Sequence, residues 1–145
     1  MTIRQITTFS VLLLAACLAS AQEKPAPTIK KVPMKQTSPA SGKEMYTAYC
    51  AACHGADGKG GGPAAPALKT PPTDLTMLAK HSEGGKFPRD HVAMILKEGT
   101  GVPAHGSVDM PTWGPLFRSL DPNHDIAVQQ RIKNLNDYLE SMQAK

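Results

Sequence analysis

The stretch Cys50-Ala51-Ala52-Cys53-His54 determines the fold and chemistry expected of the whole chain. Two cysteines separated by two residues and followed directly by a histidine are the pattern of c-type haem attachment. The two thiols add to the vinyl groups on one edge of the porphyrin, and the adjacent imidazole can bind the iron from one face. We therefore expect one haem c, joined covalently to Cys50 and Cys53, with His54 as an iron ligand.

Two other kinds of site use cysteines at this spacing. A thioredoxin-like redox pair follows a strand of a βαβ unit, and no strand-like run precedes Cys50. A structural zinc site needs four ligands, and the chain has no second cysteine pair. The sequence therefore favours haem attachment over both alternatives.

The N-terminal part of the chain has the composition of an export signal. Within residues 1–21, an apolar run over 6–16 is followed by small residues and is too short to predict a membrane span. Cleavage before a lipobox-like Cys17 would leave a lipid-modified cysteine, whereas cleavage after Ala21 would release the chain. The sequence predicts an exported, periplasmic protein, held at the membrane surface in the first case.

The segment that follows predicts a linker. Residues 22–40 are rich in proline and lysine and poor in apolar side chains, which is typical of a flexible tether. The first 40 residues carry five basic and one acidic side chains, whereas residues 41–145 carry 11 of each. The predicted domain is therefore neutral and has no basic stripe with interleaved aromatics, so nucleic acid is not an expected partner.

Residues 41–145 predict an all-α domain, because they contain no run of alternating β-branched residues. Ser41 and Glu44 form a capping box at the start of the first helix, which ends at the cysteine motif. Irregular segments are expected over 55–72, which is dense in glycine and proline, and over 100–120.

Three further helices are predicted from their start and stop residues: 74–81 with Thr73 as N-cap, Pro88 to Gly99, and a last helix with Asp121 as N-cap and Pro122 as its first residue. The last helix carries apolar residues at helical spacing, which predicts a buried stripe: Val128, Ile132, Leu135, Leu139 and Met142.

The second axial ligand decides what a haem iron does. A methionine thioether keeps the iron six-coordinate and raises its potential, which suits electron transfer. Met110 is the predicted ligand, because Pro111 holds it in an extended loop, whereas the other methionines lie in predicted helices or in the linker. His105 in the same loop is the alternative ligand. An open position would instead indicate a haem-based sensor or a peroxidase-like protein.

These segments together resemble the class I c-type cytochromes, which are small monohaem electron carriers. The resemblance covers essentially all of 41–145. Cys-Ala-Ala-Cys-His-Gly with 57–60 is similar to the haem-binding start of that family, and 110–114 is similar to its methionine loop. Four residues match the family's crossing of first and last helices: Gly42, Tyr46, Leu135 and Tyr138.

The resemblance implies a cytochrome c fold, with three main helices, a short helix and long loops around one covalent haem. It implies an electron carrier, not an enzyme, whose partners are redox proteins such as a respiratory oxidase, reductase or dehydrogenase. It also implies that a proline carbonyl accepts a hydrogen bond from His54, with Pro66 the best match and Pro63 the alternative. Trp113 is expected either to pack against the porphyrin or a propionate, or to be an ordinary core aromatic.

Overall fold

The structure, a computed structural model, describes residues 28, 32–99, 110–122 and 124–145. All regular elements of these residues are helical, as the sequence predicts. They are α1 (Gly42–Met45), a π-helical segment (Tyr46–Cys50), α2 (Ala51–His54), α3 (Leu78–His81), α4 (Arg89–Glu98), α5 (Trp113–Leu120) and α6 (Asp125–Ser141), with 3₁₀ turns at Ala65–Ala67, Leu75–Met77 and Glu83–Gly85. None of the helices in these ranges has the length and apolar character needed to cross a membrane.

The first helical run begins at the predicted N-cap, Ser41, but the reciprocal half of the capping box is absent, because the Ser41 amide donates to the carbonyl of Ser38 and not to Glu44. Ser41 Oγ accepts a hydrogen bond from the Glu44 amide at 3.2 Å, and the Glu44 carboxylate accepts one from the Ser38 amide at 3.3 Å. The run then widens into the π-helical segment, where the Ala51 amide donates to the carbonyl of Tyr46. Such segments are frequent at functional sites, and this one leads directly into the cysteine motif.

The crossing of α1 and α6 is confirmed. A Cβ at Gly42 would overlap the carbonyl oxygen of Asn134 and lie 2.8 Å from Cβ of Tyr138, so only glycine allows this approach. The rings of Tyr46 and Tyr138 pack with their centroids 5.4 Å apart. The contact fixes the start of the helical run that carries the motif against the longest helix of the described residues.

The apolar stripe of α6 forms one wall of the hydrophobic core, as predicted. Its four central residues, from Val128 to Leu139, are buried, and Met142 is partly buried just beyond the helix. Each fully buried side chain of this kind stabilises the fold by about 1.5–3 kcal/mol. The other helices complete the core with these residues: Met45, Tyr46, Val92, Leu96, Trp113 and Phe117.

The prediction that 100–120 is irregular throughout is wrong, because Trp113–Leu120 forms α5. Gly114 and Pro115 suggest a break, but Pro115 lies in the first turn, where an amide has no acceptor within the helix. Gly114 is required by packing, because a Cβ there would overlap the carbonyl of Lys97.

Two predicted helix starts also need correction. Helix α6 begins at Asp125, after His124, and not at Asp121 and Pro122. Asp121 is the C-cap of α5, and its carboxylate does not cap α6 but accepts hydrogen bonds from the buried guanidinium of Arg131, at 3.0 Å from Nε. The predicted 74–81 helix is a 3₁₀ turn (Leu75–Met77) followed by α3, and the N-cap of the turn is Asp74 and not Thr73.

The last part of the predicted linker lies on the folded domain. Thr37 is only 7% exposed, and its hydroxyl accepts a hydrogen bond from Arg131 Nη1 at 3.0 Å. The Tyr49 hydroxyl donates to the carbonyl of Lys35 at 2.6 Å, and Asn134 donates to the carbonyl of Pro39 at 2.8 Å. The prediction that all of 22–40 is a flexible tether is therefore wrong for its end, because polar contacts hold 35–39 on the domain. The predicted leader, with Cys17, lies outside the described residues.

Candidate haem site

The motif spans the junction of the π-helical segment and α2. Cys50 ends the segment, and Cys53 and His54 lie on α2, which Gly55 terminates with a φ of +78°. Both cysteines are partly buried thiols, and no disulfide joins them. One helical turn therefore presents two thiols and an imidazole, the set that the sequence predicts for haem attachment.

The glycine-rich loop after the motif folds back and binds the end of α2. The amide of Gly60 donates to the carbonyl of His54 at 2.8 Å, and that of Gly62 donates to Cys53 at 3.0 Å. The amide of Ala64 donates to the carbonyl of Ala52 at 2.8 Å. Carbonyls at a helix end have no partner within the helix, so the loop supplies the missing donors. This bracing was not predicted, although the density of glycine allows its close approach.

His54 has one ring nitrogen engaged by the protein. Its Nδ1 lies 3.0 Å from the carbonyl oxygen of Thr73, so the tautomer protonated at Nδ1 donates there and leaves the Nε2 lone pair for a metal. Burial lowers the pKa of His54, and the hydrogen bond to Thr73 opposes this only in part. Burial therefore favours the neutral imidazole, which is the form that can bind a metal.

The acceptor of this hydrogen bond differs from the expected one. It is the carbonyl of Thr73, not that of Pro66 or Pro63. Counting residues from His54 failed because the loop first runs along the end of α2 and then makes the turn at Ala65–Ala67. The chain returns to the imidazole only at Thr73.

Tyr46 also braces the end of the motif. Its buried hydroxyl donates to the carbonyl of Gly55 at 2.7 Å. Burial, helped by the neighbouring Cys50, raises the pKa of Tyr46 to about 12, so the hydroxyl keeps its proton and remains a donor. Tyr46 thus joins the helix crossing to the residue that follows His54, a second role that the sequence does not indicate.

The thiol chemistry of Cys50 argues against the redox-pair alternative. Burial, with a smaller contribution from Cys53, raises the pKa of the Cys50 thiol to about 12. Thiol exchange requires a thiolate, and cysteines that perform it have lowered pKa values. A neutral, partly buried thiol fits a position that becomes a thioether. For the zinc alternative, the described ranges contain no group of three or more His, Cys, Asp or Glu side chains placed to hold a metal ion.

Met110 lies three residues before the start of α5, and Trp113 is the first residue of that helix. Met110 is partly buried and packs against the same hydrophobic cluster as Cys50. Trp113 is 6% exposed and stacks on Tyr49, the neighbour of Cys50, with ring centroids 5.5 Å apart. This packing makes Trp113 a core aromatic, and its contact with a porphyrin stays a prediction. His105 lies outside the described residues.

The residues present fit a haem. The two thiols are one turn apart, and Nδ1 of His54 is engaged by a carbonyl, which leaves Nε2 for a metal. Met110 packs on the same hydrophobic cluster as Cys50, and its binding to iron stays a prediction.

Comparison with known proteins agrees with this assignment. The family model described as cytochrome c matches residues 39–143, which is most of the chain and nearly all of the described domain. Comparisons with curated proteins and with solved structures give no match. The helical fold of the described residues, and the haem-attachment motif at the junction of the π-helical segment and α2, are those that the family match implies. The chain therefore belongs to the cytochrome c family as a class I c-type cytochrome, a family whose members bind haem c and generally carry electrons between redox partners.

Proposed function

We propose that this protein is an exported monohaem electron carrier whose iron is bound by His54 and Met110. The observation that carries the proposal is the contact between Nδ1 of His54 and the Thr73 carbonyl oxygen at 3.0 Å, which leaves Nε2 for iron. The haem, when bound, supplies an iron that takes up and releases one electron.

Cys50 and Cys53 serve as tethers in this proposal. Their thiols lie on one turn of helix, and hydrogen bonds from the returning loop hold the backbone on which Cys53 and His54 sit. The Tyr46 hydroxyl holds Gly55 in the same way. A braced attachment segment keeps the imidazole in one orientation in both oxidation states, which lowers the reorganisation that accompanies electron transfer.

Met110 is the proposed second ligand. Pro111 favours an extended backbone at Met110, and the side chain is partly buried against the core. A thioether ligand raises the reduction potential and fills the coordination position that a gas or peroxide would need. The proposal is therefore an electron carrier and not an enzyme.

Export and the choice of partners belong to the same proposal. A leader with the composition of an export signal fits a protein whose haem is attached outside the cytoplasm, and Cys17 offers a lipid anchor at the membrane surface. The proposed location is the periplasm, and the proposed partners are redox proteins such as a respiratory oxidase, reductase or dehydrogenase.

Mass spectrometry of the matured full chain tests the attachment and the processing together. The proposal expects the mass of one haem on the peptide that contains Cys50 and Cys53, and its loss when both cysteines are changed to alanine. The N-terminal peptide will start either at an acylated Cys17 or at Gln22. A mature wild-type protein without covalent haem would overturn the proposal. Rapid binding of CO to the reduced protein would indicate the open-site alternative.

A further inference from the structure

The C-terminal end of α6 is tied to the segment that follows Thr73. The Gln143 side chain donates to the carbonyl of Leu75 at 2.8 Å and accepts from the amide of Ala79 at 2.9 Å. It also donates to the carbonyl of Leu139 in its own helix at 2.8 Å. One partly buried amide side chain thus joins the last turn of α6 to both ends of the 75–79 segment.

Neighbouring C-terminal residues strengthen this connection. The amide of Ala144 donates to the carbonyl of Thr76 at 2.8 Å. The Met142 methyl group lies so close to Gly58 that a Cβ there would be 2.9 Å from it, beside the methyl of Thr76. The end of the chain therefore closes over the segment from Gly58 to Ala79.

The tied segment carries the carbonyl that contacts His54. Thr73 lies two residues before Leu75, whose carbonyl accepts from Gln143 and whose amide donates to Gly58 at 2.7 Å. Between them, Asp74 caps the turn by accepting from the Thr76 amide at 2.8 Å. Leu75 is thus held at its amide by Gly58 of the glycine-rich loop and at its carbonyl by Gln143. Because Thr73 lies two residues earlier, its carbonyl has little freedom to move.

We propose that Gln143 is a positioning residue for the iron ligand, because it acts through Leu75 to hold the Thr73 carbonyl against Nδ1 of His54. The inference rests on the proposed ligation of iron by His54. A hydrogen bond from a ligating histidine to a carbonyl fixes the ring and makes its metal-binding nitrogen more basic. Gln143 therefore sets how strongly the imidazole donates to iron, although it lies outside the motif.

The test compares two matched variants of the holoprotein, Gln143→Met and Gln130→Met. Methionine has nearly the length of glutamine but none of its hydrogen bonds, and Gln130 is an exposed residue of α6. Two quantities are measured: the solvent exchange rate of the His54 Nδ1 proton by NMR, and the reduction potential. In Q143M the proton should exchange about tenfold faster, the effect of losing roughly 1.4 kcal/mol of hydrogen bonding. The potential should rise, because a less basic imidazole stabilises ferric iron less.

Q130M should leave both quantities at their wild-type values. If Q143M lowers only the stability and leaves the exchange rate and potential like those of Q130M, Gln143 has a structural role alone and the inference is overturned. Should Q143M fail to fold, Gln143→Glu retains the acceptor for Ala79 and loses the donor to Leu75. That variant is judged by the exchange rate, since its charge itself alters the potential, and an unchanged rate refutes the inference.

Failure of the proposed function would look different. In that case the wild-type protein carries no covalent haem, or its spectrum shows that His54 is not a ligand, before any variant is compared. Failure of the inference leaves a wild-type spectrum typical of His54 ligation and a Q143M variant that does not differ from its control.

Discussion

At the scale of single residues, the proposed iron site depends on which atom of each side chain remains available to bind. The Nδ1 atom of His54 is occupied by the Thr73 carbonyl, so the ring presents Nε2. Cys50 is kept as a neutral thiol by burial, which raises its pKa to about 12. Met110 packs on the same cluster as Cys50. The two proposed iron ligands and the two proposed attachment points therefore lie on four different side chains.

The role of Met110 gives a direct prediction. Met110→Ala should leave the haem attached, because the thioethers do not involve this residue, but should lower the reduction potential sharply, because a thioether ligand raises it. The matched control is Met94→Ala, which removes a methionine that is 48% exposed on α4 and should not move the potential. Protein-film voltammetry measures both variants. An unchanged potential in M110A would show that Met110 is not a ligand.

Sequence patterns identify the residues whose type carries the chemistry, and they miss those that act through the backbone. Cys50, Cys53 and His54 follow from spacing and residue type. The Thr73 carbonyl could not be predicted in this way, because any residue at that position offers the same acceptor. Only the path of the chain, which returns beside the ring at Thr73, identifies it.

At the scale of elements, the close crossing of α1 and α6 sets where the motif lies. Gly42→Ala should destabilise the fold by about 3 kcal/mol, because the new methyl overlaps the Asn134 carbonyl and helix backbones cannot easily move apart. Gly61→Ala is the control, since a Cβ there meets nothing within 4 Å, and it should change stability by no more than about 0.5 kcal/mol. Urea unfolding measures both. Equal free energies of unfolding for G42A and G61A would contradict the close crossing of α1 and α6.

The start residues of α5 and α6 are determined by tertiary contacts and not by the local sequence pattern. The apolar stripe of α6 is visible in the sequence because one face of a single helix produces it. The start of α6 is not, because Asp121 binds Arg131 and does not cap the helix. Gly114 and Pro115 similarly suggest a loop, although α5 accommodates both in its first turn.

At the scale of the whole molecule, electrostatic contacts between helices make stability depend on pH. Asp137 on α6 accepts hydrogen bonds from Lys133 at 2.7 Å and from Arg89 of α4 at 2.5 Å. The Lys133 contact first, and then that of Arg89, lower the pKa of Asp137. A lowered pKa in the folded state means that the ionised form stabilises the fold above the unfolded-state pKa of about 3.9, and that this contribution disappears as the pH falls through the folded value.

Asp137→Asn should therefore lower the free energy of unfolding at pH 7 by less than about 1 kcal/mol, because the pair is partly exposed. The difference from wild type should shrink as the pH falls below about 4, where the wild-type carboxylate also becomes neutral. Urea denaturation over this pH range measures the difference, and added salt should reduce it at neutral pH. A difference that stays constant down to the lowest pH at which both proteins fold would refute the assignment.

The fold of the whole molecule was predictable to the level of its class, because the motif, the helix crossing and the all-α pattern agree. The contact of 35–39 with the domain was not predictable from composition. It depends on Arg131, which binds Asp121 ten residues away and Thr37 94 residues away, and whose guanidinium lies over the ring of Phe117. A contact between residues as far apart in sequence as Thr37 and Arg131 leaves no local pattern.

The central claim is that one covalent haem iron is bound between His54 and a thioether. Near-infrared absorption of the oxidised wild-type protein tests it most directly, because sulfur bound to ferric haem iron gives a charge-transfer band in that region. The account predicts that this band is present in the wild type and absent in M110A. A wild-type protein that lacks the band, and whose reduced form binds CO rapidly, would contradict it.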